Sequence, residues 1–142
     1  MRTFFSINSI QGYFFIRLML GFVFLVAGFQ KFIFPTDMGP GRFLDMGFPL
    51  PVFAAYLVGF FETIGGLFIL LGLASRFAAI PLAIIMVVAI ITTKTPLLYD
   101  GFWVFAHAIR LDLSMLLASF FVIINGSGKY SLDEKLYRNN SF

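Results

Sequence analysis

Six residues able to carry charge or hand over a proton stand out in a very apolar chain: Lys31, Glu62, Tyr99, His107, Arg110 and Asp112. Glu62 poses the sharpest problem. In "VGFFETIGGLFILLGLASR", from Val58 to Arg76, everything between the Glu62 and Arg76 charges is apolar or Gly except Thr63 and Ser75. A lone charge at the middle of a bilayer costs about 2.5–3.5 kcal/mol on insertion scales. Glu62 is therefore expected to be protonated or paired, with Lys31 as first partner and Arg110 as second. Such a group can take or give a proton while Lys31 or Arg110 holds an anionic or carbonyl oxygen. The plainer reading is a structural ion pair that fixes helix register.

The remaining candidates define a rim. His107 carries an imidazole, a side chain widely used to handle protons. A single His at a helix start also serves as an interfacial or capping residue. Arg110 and Asp112 point about 160–200° apart on an ideal helix, so one of them faces the centre, and the sequence leaves open which. Together these residues sketch a polar pocket floored by Glu62 and Lys31 and rimmed by His107, Arg110 and Tyr99. With no Cys and one His, thiol chemistry, iron–sulfur ligation and a metal site built by this chain alone are not expected. No phosphate-binding or dinucleotide motif is visible.

The elements that must position these groups are helices in a membrane. The chain has 142 residues, of which 60% are hydrophobic and only 12% charged. A soluble domain averages about 25% charged residues. The net charge of +3 thus records topology and not nucleic-acid binding. Four apolar segments, each near the ~20 residues a crossing needs, fall at about residues 12–34, 52–73, 77–93 and 107–125. They predict an all-α integral membrane four-helix bundle in one domain. The runs are continuous, unlike the alternating strands of a barrel. The first run is too long for a cleaved signal peptide.

The connections differ. "ASR" predicts a tight hairpin between the second and third spans. Residues 35–51 are rich in Pro and Gly yet contain Phe43, Leu44, Met46 and Phe48, which predicts a loop with a short interfacial piece. "KTPLLYDGFW", residues 94–103, predicts a loop with an Asp-Gly turn. Its Tyr99, Phe102 and Trp103 suit an aromatic belt. In the tail, residues 126–142, Ser131 and Glu134 form a capping-box pattern for a short surface helix. Leu132 and Leu136 would rest on the membrane. A frayed tail is the alternative. Arg2, Arg17, Arg76, Lys129, Lys135 and Arg138 fall on one side, against Lys31, Arg42, Lys94 and Arg110 on the other. The bias places both termini in the cytoplasm.

Depth can be counted along the helices. Lys31 lies fourteen residues after Arg17, and Glu62 fourteen before Arg76, each about 21 Å at 1.5 Å per residue. Asp112 lies about 20 Å from Asn125 on the same rise. Lys31, Glu62, Arg110 and Asp112 therefore approach one layer. On the first helix Arg17, Gly21, Phe24, Gly28 and Lys31 share a stripe. On the second, Ala55, Gly59, Glu62, Gly66, Ile69 and Arg76 share a face flanked by Gly65 and Gly72. Glycine faces are where membrane helices approach closely, so the charges are expected to face protein.

"RLMLGFVFLVAGFQKF", "GFPLP" and "LVGFFETIGGLFILLGLASRFAAIPLAIIMVVAI", over about residues 17–91, resemble the DoxX family of small bacterial membrane proteins. Arg17, Gly21, Gly28, Lys31, Glu62, Gly65, Gly66, Gly72 and Arg76 occupy the positions of its pattern. The fourth helix matches loosely. The resemblance implies a four-helix bundle in the bacterial cytoplasmic (inner) membrane. It also implies an accessory role beside a quinone-linked oxidoreductase or a respiratory or stress complex. Electrons would then be carried by a quinone or by a partner subunit, since the chain has no haem, flavin or copper site of its own. Two other readings stand beside it: a binder or enzyme for a quinone, lipid or sulfur compound at Glu62, and a transporter formed as a homo-oligomer.

Overall fold

A computed structural model describes residues 9–139; Arg2, counted above for orientation, and residues 140–142 of the tail lie outside them. Six α-helices are present and no strand occurs among the described residues: α1 (Ser9–Ile33), α2 (Pro40–Asp45), α3 (Pro51–Leu71), α4 (Ser75–Ala89), α5 (Phe102–Asn125) and α6 (Leu132–Asn139). Four continuous spans are long and apolar enough to cross a membrane: Gly12–Ile33, Pro51–Leu71, Ser75–Asp100 and Phe102–Asn125. Helices suit that medium because each satisfies its own backbone polar groups. Phe15, Phe22, Phe53, Phe60, Phe77 and Ile84 point outward, as lipid-facing positions should.

Sequence chemistry explains where each helix stops. The chain leaves α1 at Pro35, and Pro40 and Pro51 open α2 and α3 at positions where a missing N–H costs nothing. At the end of α3, Gly72 takes a left-handed φ of 67°. Its N–H donates to the Ile69 carbonyl (3.1 Å), and Leu73 N–H donates to Phe68 (2.9 Å). This is the Schellman closure that glycine favours, and it makes the expected tight hairpin. α2 is the short piece expected between the first two spans. Its Phe43 is buried and its ring lies 5.1 Å from that of Phe48.

The third span is longer than the expected residues 77–93. After α4 the helix continues through a π turn (Ile90–Lys94) and a 3₁₀ segment (Thr95–Asp100), and only Gly101 breaks it. Pro96 is the physical reason. It cannot donate to the carbonyl four residues back and its ring crowds that position, so the helix changes its hydrogen-bond pitch instead of ending. Thr92 and Thr93 hydroxyls cover the Val88 and Ala89 carbonyls at 2.7 Å. The expected loop at residues 94–103 is thus mostly helical, and the fourth span starts at Phe102 instead of His107.

The spans adjoin in the order α1, α3, α4, α5, with the most extensive contact between α1 and α3. Glycines permit that approach. A Cβ on Gly66 would lie 2.6 Å from Leu25 N and 2.8 Å from the Gly21 carbonyl, and one on Gly28 would lie 2.6 Å from Thr63 N. Gly65 instead faces Leu82 of α4. The core joins Leu20 and Phe24 of α1, Ile69 of α3, Ala79, Leu82 and Met86 of α4, and Met115, Ala118 and Val122 of α5.

The tail docks. Buried Arg17 donates to the Ser127 carbonyl (2.6 Å) and the Tyr130 carbonyl (3.1 Å). Asp133 Oδ1 accepts the Ala74 N–H at 2.8 Å, and Asp133 N–H donates to the Gly72 carbonyl at 3.0 Å. The capping pattern is realised: Glu134 N–H reaches Ser131 Oγ (3.2 Å), and Glu134 Oε2 accepts the Tyr130 N–H (2.9 Å). Arg76 packs over Gly126. Leu132 and Leu136 of α6 remain exposed.

Candidate functional site: a paired-charge cavity between the spans

Lys31 sits in the last turn of α1 and Glu62 in the middle of α3. Each lies three residues beyond a glycine of the seam, Gly28 and Gly59 respectively. Lys31 Nζ meets Glu62 Oε2 at 2.5 Å and also donates to the Ala27 carbonyl at 3.3 Å. Glu62 is 3% exposed. The first-choice partner is therefore the observed one, and Arg110 is not involved.

A second pair lies nearby. Lys94 Nζ, on the π turn, approaches Asp112 Oδ2 of α5 at 3.4 Å, both side chains about four-fifths buried. The sequence left open whether Arg110 or Asp112 turns inward, and it is Asp112. Lys94, which in the sequence counts only toward orientation, is its partner. Its signal was available: "TTK" puts three polar residues at the end of an otherwise apolar helix, two positions before Pro96.

Both pairs line one cavity of about 430 Å³. Phe24, Met86 and Met115 form its core-facing wall, and Met38, Arg42, Phe43, Met46 and Phe48 from the α1–α3 connection cover it. That size falls within the range of small-molecule sites, which are mostly apolar with a few placed polar groups. Of the residues singled out in the sequence, Lys31, Glu62 and Asp112 thus line one cavity. Tyr99, His107 and Arg110 do not line the cavity. Tyr99 is 96% exposed on the 3₁₀ segment. His107 and Arg110 lie on the outer face of α5, with Arg110 Nη2 3.3 Å from His107 Nε2. Because Asp112 faces the cavity, Arg110 and His107, each more than about 130° round the same helix from it, face outward, and Lys94 of the continued third span supplies the second cation. Among the described residues no group of His, Cys, Asp and Glu is arranged to hold a metal ion.

Chemically, the cavity offers two carboxylates able to exchange protons and two ammonium groups able to hold an oxygen, within an apolar enclosure. Low polarity strengthens each of these interactions. Arg17, Gly21, Gly28, Gly59, Gly65, Gly66, Gly72 and Arg76 act in packing and tail docking, away from the cavity.

These features define a polytopic membrane protein with a charged cavity between its spans. The chain belongs to the DoxX family, whose model matches residues 12–95. It is similar to an uncharacterised membrane protein of Mycobacterium tuberculosis, 48% identical over 128 residues, covering 85% of this chain and 78% of that one. It is also similar to the Bacillus subtilis protein named "Putative oxidoreductase CatD", 31% identical over 123 residues, covering 87% and 85%. An uncharacterised Haemophilus influenzae protein is 28% identical over 125 residues, covering 87% and 90%. No solved structure matches.

Proposed function

We propose that this protein is a bacterial inner-membrane accessory subunit of a quinone-linked oxidoreductase, and that it binds a quinone-type molecule in the cavity between its spans. The observation that carries this reading is the convergence of Lys31–Glu62 and Lys94–Asp112 on one apolar cavity of about 430 Å³. The name of the Bacillus relative adds support on the oxidoreductase side. Lys31 and Lys94 hold carbonyl oxygens of the ligand, and Glu62 and Asp112 exchange protons with them. Phe24, Met86 and Met115 exclude water from the headgroup. A quinone, when bound, supplies the capacity to carry electrons together with protons. Both termini face the cytoplasm, so the covered mouth of the cavity faces outward; the count of basic residues supports this orientation.

The test is purification from native membranes in mild detergent, with mass spectrometry of co-extracted small molecules and proteins. A near-stoichiometric quinone, lost in a folded Glu62→Gln variant, and an oxidoreductase partner are the expected results. Recovery of the chain alone, without quinone, and unchanged quinone-dependent respiration on deletion would overturn the proposal.

A further inference from the structure

Arg110 is exposed on a helix that is long and apolar enough to cross a membrane. Among the described residues no carboxylate pairs with it; Asp112, two positions on, is committed to Lys94. His107 Nε2 contacts Nη2 alone. A guanidinium has five N–H donors in a planar fork, so most of the donors of this exposed group have no partner among the described residues. Trp103, His107, Arg110 and Ser114 recur at i, i+4, i+7 and i+11 and make one stripe on α5. All four are exposed. Ser114 is satisfied by the Arg110 carbonyl at 2.7 Å and needs no outside partner.

Depth decides what the guanidinium meets. Arg110 lies eight residues beyond Phe102, where α5 begins, about 12 Å along the helix. Trp103, 81% exposed, and Phe102, 64% exposed, mark that end with amphipathic and aromatic rings, as at a headgroup boundary. A long cationic side chain at this depth extends toward the interface. Below it Leu111 and Leu117 are 57% and 60% exposed and offer a surface for acyl chains.

We infer that Arg110 and His107 form a site on the outer face of α5 for the phosphate of an anionic phospholipid, separate from the cavity and independent of its ligand. The planar fork matches two phosphate oxygens at once. His107 steadies one arm of the fork, and the apolar strip beneath selects a phosphate that carries acyl chains over one free in water.

Trp103 makes the site measurable, because it is the only tryptophan and lies on the same stripe. The full chain would be reconstituted in vesicles containing brominated phosphatidylglycerol or brominated phosphatidylcholine, and Trp103 quenching followed. The anionic lipid should associate about fivefold more strongly, the effect of one basic side chain near a surface. Arg110→Gln should bring the ratio to about one, Arg110→Lys should keep part of it, and Glu62→Gln should leave it unchanged. Equal quenching in the native protein, or a preference that survives Arg110→Gln, overturns the site. Absence of quenching by either lipid also overturns it, because protein then covers this face. A preference abolished by millimolar inorganic phosphate would assign the site to free phosphate and contradict the lipid.

Discussion

Lys31 on α1 and Glu62 on α3 meet across antiparallel helices at 2.5 Å, each three residues beyond the glycine that lets its helix approach the other. Removing one partner leaves a buried charge uncompensated, which costs about 3–5 kcal/mol. Lys31→Met should therefore lower the unfolding temperature in detergent sharply. Lys31→Met combined with Glu62→Met should recover most of the loss, because two apolar side chains need no partner. Thermal unfolding of the three variants checks this, and a double variant as unstable as the single one would count against a compensated pair.

The α1–α3 seam leaves no room for a side chain at Gly66, since the atoms in the way are the backbone of Leu25 and Gly21. Gly66→Ala should cost about 1–3 kcal/mol, the usual range for overpacking. Gly12, with open space around it, serves as control, and Gly12→Ala should cause no loss. The comparison is read from denaturant or thermal unfolding of the two variants side by side.

How much of this was legible beforehand follows from the physics of each feature. The spans, the tight hairpin between the second and third of them and the Lys31–Glu62 pair could be read because helical rise and the cost of a buried charge are local rules. The continuation of the third span past Lys94 could not, because a proline alone does not say whether a helix ends or changes pitch. That continuation supplied Lys94 as the second cation and carried exposed Tyr99 on its last turns, while the inward turn of Asp112 left His107 and Arg110 on the other side of α5. The cover formed by Met38, Phe43, Met46 and Phe48 depends on how a Pro- and Gly-rich connection folds back, which periodicity does not encode. The docking of the tail was equally hidden, since the acceptors for Arg17 are backbone carbonyls with no signature in side-chain type.

The tail contacts give a prediction independent of the cavity. Arg17 holds two carbonyls of residues 127–130, and Asp133 caps the Ala74 N–H. Hydrogen bonds to charged groups contribute about 1.5–3 kcal/mol each. Arg17→Gln or Asp133→Ala should accordingly speed tryptic cleavage after Lys129 by about tenfold or more. A digestion time course on detergent-solubilised protein follows it, and unchanged cleavage would mean the tail is held by other contacts.

The two charged residues that neighbour each other on α5 should behave differently. Asp112→Asn leaves Lys94 without its partner at the cavity wall and should weaken ligand binding. Arg110→Gln, on the outer face, should leave it within about twofold of the native value, as surface changes away from a site usually do. Parallel titrations of both variants with one quinone analogue distinguish them.

The most direct measurement is a titration of a short-tailed quinone analogue into the full chain held in lipid nanodiscs, comparing the native protein with the combined Lys31→Met and Glu62→Met variant. The cavity account predicts saturable binding to the native chain. In the folded variant, binding should be weaker by about tenfold or more, the effect of losing one charged hydrogen bond. Equal affinity in both, with the variant as stable as the native chain, would leave the pair as a structural tie and contradict its place in a ligand site.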